Sequence, residues 1–193
     1  MATSHDDQLS MDLGVEIRHT DQAWRDWSDP TRRADTAARF RDRIGVTGLP
    51  ELPWSEDSPE LVHITTRIDD LFPDMTTATA PENAAITDEF ACFLVDCYER
   101  WTGAEVANYP VEALDKTLFP SQPDVNPLLT WPFEAETSTV WGLLYVMTNY
   151  GSGFEWLASV LDEYCTSYLM WCVDNDVDSA VRRYVYPDGV PDQ

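Results

Sequence analysis

Lysine is almost missing from this chain: Lys116 is the single one, against eleven arginines. Glycine is scarce too. Eight residues are few for a cradle of backbone amides, and no glycine-rich run ends in lysine, so a phosphate loop is excluded. No stretch of about 18 apolar residues occurs, which argues against a transmembrane helix. The opening MATSHDDQLSMDLG lacks the basic start and apolar stretch of a secretory leader. A cytoplasmic protein is expected.

Metal-binding and nucleophile patterns are missing as well. No C-x-x-C exists; Cys92 and Cys97 are five apart, Cys165 and Cys172 seven apart. On a helix seven residues span about 10.5 Å, too far for two thiolates to share one zinc. The four cysteines therefore read as free, buried thiols of a reducing compartment. Of the three histidines, His5 falls in the N-terminal tail and His63 on the polar side of a helix, neither beside a nucleophile in a motif. Gly151-Ser152-Gly153 lacks the rest of a G-x-S-x-G elbow and reads as a turn. No metal, no cofactor and no catalytic residue are expected.

What the chain has in abundance is aromatic surface and negative charge. Its 193 residues are 44% hydrophobic and 12% aromatic, with eight tryptophans. That composition is too apolar for disorder and long enough to bury a sizeable core without disulfides. Thirty-five acids against twelve bases give a net charge of −23. Residues 1–45 hold nine acids and seven arginines, so nearly all the excess lies in 46–193. Such a surface repels nucleic acid and anionic membrane and attracts a basic protein. The same composition also arises as a plain solubility or high-salt adaptation.

The chain is read as a disordered tail (1–11), one compact globular domain (12–186) and a frayed tail (187–193). Alternation of Leu13, Val15 and Ile17 suggests a short strand. Asp29-Pro30 opens a helix that Gly45 closes, and five of its residues are arginine: Arg32, Arg33, Arg39, Arg41 and Arg43. These are expected to form internal ion pairs. Ser58-Pro59-Glu60 starts a helix with the stripe Leu61, Ile64, Ile68 and Leu71. Residues 73–83 read as a loop. Glu82–Thr102 is the clearest helix, stopped by Gly103. A strand is expected at Val106–Tyr109, and five prolines between 110 and 132 leave room only for edge strands near Asn126–Phe133. Residues 138–150 lean to helix. A strong amphipathic helix follows over Phe154–Val173, and a short one over Ser179–Val185, capped by Asp178. The expected fold is α+β and helix-dominated, with four to five helices and a few short strands.

Candidate chemistry is thin. Asp174, Asp176 and Asp178 open like a calcium loop, but Ser179 stands where glycine is needed and Val185 where a bidentate glutamate belongs. Local capping of the last helix accounts for them more simply. Asp69-Asp70 and Asp162-Glu163 are adjacent carboxylates of a kind that 35 acids produce by chance. Trp54 lies in a proline-stiffened loop beside Glu56 and Asp57; it is either an exposed anchor for a basic partner or a core plug. The function expected is a non-catalytic acidic binding protein of the inhibitor, immunity or antagonist type, docking on a basic protein. Its partner-binding set is Trp54, Glu56, Asp57, Asp162, Glu163, Asp174 and Asp176. Two other readings compete: a small hydrolase using paired carboxylates or a cysteine, and a structural or adapter component whose acidity is adaptive only.

Overall fold

The computed structural model describes residues 22–109, 118–119, 122, 124–149 and 153–190. The tail expected over 1–11, the strand expected at 13–17 and residues 110–117, 120–121 and 123 of the proline-rich stretch lie outside the described residues. Eight α-helices run in the order α1 (Gln22–Ser28), α2 (Pro30–Ile44), α3 (Pro59–Leu71), α4 (Met75–Thr79), α5 (Ala84–Thr102), α6 (Val140–Asn149), α7 (Gly153–Asp174) and α8 (Ala180–Val185). Strands β1 (Glu105–Asn108), β2 (Pro127–Trp131) and β3 (Glu134–Thr139) fall between α5 and α6. The chain is thus a helix-dominated α+β protein, with eight helices among the described residues, more than the four to five expected. Residues 73–83, expected to be a loop, hold α4 and a 3-10 turn at Pro81–Asn83. Five residues are too short for helical periodicity to show; what starts α4 is Asp74, whose carboxylate accepts from the Thr77 N–H at 2.7 Å.

The longer helices begin and end where their caps dictate. Asp29 accepts from the Arg32 N–H at 2.8 Å ahead of Pro30, and Gly45 ends α2 in the left-handed region. Ser58 accepts from the Leu61 N–H at 3.1 Å ahead of Pro59. The N-cap of α8 is Ser179, accepting from Arg182 N–H at 3.2 Å, and not Asp178. Asp178 instead pairs with Arg183.

Helix α5 is the axis of the molecule. Phe90 through Val95 are all buried, as are Cys97, Tyr98 and Trp101, a pattern of burial all round that only a central helix needs. Helix α2 packs on one side of it, and α7 on another; α3 lies against α7. Between them Phe40, Phe72, Phe90, Phe93 and Phe154 form a continuous aromatic core, with neighbouring ring centroids 4.9–6.5 Å apart. The buried Ile44, Ile64, Ile68 and Leu161 extend it.

The sheet is antiparallel, ordered β1-β2-β3. β2 is therefore central, a correction to the edge position expected from its prolines. Pro127 stands at the first residue of the strand, opposite Asn108, a place where the missing N–H does little harm. The asparagine side chain takes over there, accepting from the Asn126 N–H at 2.9 Å and donating to the Asp124 carbonyl at 2.7 Å. A register shift between Leu129 and Trp131 marks the bend into the β2–β3 turn, which is built from Pro132 and Phe133. Thr139 then caps α6, accepting from the Gly142 N–H at 3.0 Å, so 140–149 are helical as expected, while 138–139, read with them as helix, close β3.

Candidate functional site

The arginines of α2 are consumed within the molecule. Arg32 pairs with Asp88, Arg33 with Glu99 at 2.8 Å and Arg41 with Asp96. Glu89, 8% exposed, takes Arg43 at 3.0 Å and Arg39 at 3.7 Å. All four carboxylates belong to α5, so these pairs stitch α2 onto the central helix. Burial pushes the Glu99 carboxyl up, and the Arg33 guanidinium beside it pulls the other way. No base of α2 is left to offset the acids elsewhere.

Exposed acids lie on α7 and β3, as on several other elements. Asp162 and Glu163 are exposed on α7, and Glu134 and Glu136 are exposed on β3. None of these four, nor Glu155, has an ion-pair partner among the described residues. The Tyr164 hydroxyl is pushed up by burial first and by the charges of Glu134, Glu136 and Glu163 second. Beside them runs an aromatic strip. Tyr164, Tyr168 and Trp171 follow at i, i+4 and i+7 along α7, one face of a helix. The β2–β3 hairpin covers part of that face: Trp131 lies 4.7 Å from Tyr164, and Phe133 lies 5.9 Å from Tyr164 and 6.3 Å from Tyr168. Aromatic rings bordered by unpaired carboxylates are the composition of a docking surface for a cationic partner.

The residues expected from sequence are scattered by comparison. Trp54 is 4% exposed, stacked into the core edge-on to Trp101 at 5.0 Å and next to Phe93 and Phe154. It is a core plug, and the exposed-anchor alternative is corrected on this point. Glu56 and Asp57 are exposed in the turn that follows, near the Phe154 end of α7. Asp174 and Asp176 sit at the opposite end, about 30 Å away at 1.5 Å per residue. Asp176 takes a left-handed φ of 54° and pairs with Arg182 at 2.9 Å. Of these residues only Glu163 acts on the aromatic strip, at Tyr164; Asp162, two positions before Tyr164, lies on another side of α7. Glu134, Glu136, Phe133 and Trp171 were missed; the i, i+4, i+7 spacing of Tyr164, Tyr168 and Trp171 was the legible signal.

Groups suited to chemistry are otherwise engaged. Asp69 accepts from the Phe154 N–H at 2.9 Å and so caps α7 from α3; burial raises its carboxyl pKa. The four cysteines are free and buried. Burial pushes Cys92 and Cys165 up to about 12 and raises Cys97 as well, the reverse of what a nucleophilic thiolate needs. His63 Nε2 lies 3.1 Å from the Ile44 carbonyl and serves the α2–α3 junction. Among the described residues no three His, Cys, Asp or Glu side chains are placed to hold a metal ion. Among the same residues no helix is long and apolar enough to cross a membrane.

No protein-family model, no curated protein and no solved structure matches this chain. The functional reading rests on the chain's own residues.

Proposed function

We propose that this chain is a non-catalytic acidic binding protein that docks on a basic protein partner, in the manner of an inhibitor, immunity or antagonist protein. The observation that carries the reading is the segregation of charge. The α2 arginines are spent on α5, while Glu134 and Glu136 on β3 and Asp162 and Glu163 on α7 are exposed with no counter-ion among the described residues. The contact surface is the outer side of α7 with β3, not the Trp54 loop. Uncompensated carboxylates steer a basic partner in and raise the association rate at low ionic strength; the rings supply desolvated area once it arrives.

The experiment is capture on the immobilised chain, in lysate and then with the purified partner, at about 20 mM and about 500 mM salt, where the screening length falls several-fold. A basic protein is expected to bind at low salt and to release at high salt. Substitution of Glu134, Glu136, Asp162 and Glu163 by their amides is expected to slow its association at least tenfold. Binding that ignores both salt and these substitutions, or no basic partner at either salt, overturns the reading.

A further inference from the structure

Between the end of α5, the β2–β3 turn and the last turns of α7 lies a cleft of about 340 Å³. We propose that it is the receptor for one arginine side chain of the basic partner; this rests on the docking reading above and names its anchor. The walls are aromatic and held in place. Trp131 donates its indole N–H to the Thr102 hydroxyl at 2.8 Å, and that hydroxyl donates to the Tyr98 carbonyl at 2.6 Å. The Tyr168 ring lies directly over Gly103, close enough that a Cβ at 103 would run into it. Trp171 stacks with Tyr168 at 6.1 Å and 15°. Pro132 and Val177 complete the apolar lining.

One charged residue lines this cleft, and it is an acid. Glu105, on β1, is exposed and has no ion pair among the described residues. Arg182 comes near the rim, donating to the Val177 carbonyl at 3.0 Å, but its guanidinium is already held by the Cys172 carbonyl at 3.3 Å and Asp176 at 2.9 Å. It is not part of the cleft lining.

The chemistry selects the occupant. Electron-rich ring faces attract a cation. A carboxylate at the rim meets a guanidinium as a two-pronged acceptor, and a flat guanidinium stacks on flat rings, as a compact, strongly hydrated ammonium does not. The cleft volume admits such a group with its methylene stem. The acids on β3 and α7 raise the local concentration of cations around it.

The test follows the indole N–H signals of Trp131 and Trp171 by NMR during titration with N-acetyl-arginine amide, with the neutral citrulline analogue as control. Saturable shifts of both signals are expected with arginine, at a concentration about tenfold lower than with citrulline. Glu105→Gln, a change at an exposed side chain, and Trp171→Ala are each expected to weaken arginine binding about five- to tenfold. No saturable shift, or equal response to citrulline, overturns the proposal. If a captured basic partner binds Glu105→Gln and Trp171→Ala as tightly as wild type, the arginine receptor falls and the docking reading stands. If arginine amide saturates the cleft and no basic partner is captured at any salt, the docking reading falls and the guanidinium site stands.

Discussion

Trp54 gives the sharpest test of how this core is built. The indole is 4% exposed and packs against Phe93 at 6.3 Å, Phe154 at 6.4 Å and Trp101 at 5.0 Å. Truncation to alanine removes the whole ring system from a site its neighbours cannot refill, at a cost of about 3–5 kcal/mol. For a chain of this length each kcal/mol moves Tm by about 2–4 °C, so Trp54→Ala should melt about 6–20 °C below wild type. Trp54→Phe separates two opposing effects. It leaves a smaller void, costing about 1–2 kcal/mol. It also removes an indole N–H that is buried with no hydrogen-bond partner among the described residues, relieving a burden of about 1–3 kcal/mol. The phenylalanine variant should therefore lie between about 1 kcal/mol less and about 2 kcal/mol more stable than wild type. Urea unfolding followed by far-UV circular dichroism reads both variants without relying on the tryptophan being replaced. If Trp54→Ala lies within about 0.5 kcal/mol of wild type, as surface changes do, the core placement is wrong. If Trp54→Phe costs its void in full, about 1–2 kcal/mol, the orphan N–H carries no penalty.

Three further outcomes are expected. Gly103→Ala forces a side chain into a backbone with φ of 62° and into the Tyr168 ring; it should cost about 1–3 kcal/mol, and a chemical-denaturation midpoint equal to wild type would contradict that. Glu89→Ala removes the shared acceptor of Arg39 and Arg43. Both arginine side chains are about half exposed and can turn to water, so the loss should be about 1–3 kcal/mol by the same measurement; no loss would show that these pairs do not bind α2 to α5. Asp69 has its carboxyl pKa raised from 3.8, by burial first, against the pull of the Phe154 N–H and with help from Asp70 and Glu155. Its contribution to stability is full below the unfolded value and is lost as pH rises through the raised folded value. Asp69→Asn removes this titration, so the variant should gain on wild type as pH rises from about 3.5 to about 6.5; thermal melts across that range check it, and a variant that loses ground to wild type over that range refutes it.

Much of the secondary structure was legible because its signals are local. Asp29-Pro30 with Gly45, and Ser58-Pro59, mark helix ends through hydrogen bonds made within three or four residues. The stripe Leu61, Ile64, Ile68 and Leu71 marks the inward face of α3, where the first three are buried and the last half-buried. The arginines of α2 were rightly expected to be internal partners, since only opposite charge lies within their reach. Less was legible for α4, whose five residues carry no period, and for β2, whose proline suggested an edge. Asp178 and Ser179 are both good caps, and which of them turns its oxygen toward the helix depends on Arg183 drawing Asp178 away.

The candidate site divides in the same way. By itself the sequence determined the helices, the burial of the cysteines within them, and a surplus of carboxylates that basic residues cannot neutralise, because propensity, periodicity and charge count are properties of nearby residues or of the whole sum. Tertiary structure alone decided which carboxylates stay unpaired, that Trp54 turns inward, and that a hairpin from residues 127–139 lays Trp131 and Phe133 against α7. Those outcomes follow from contacts between segments far apart in the chain, where competition for one core volume and one set of counter-ions selects among placements that each segment would accept alone.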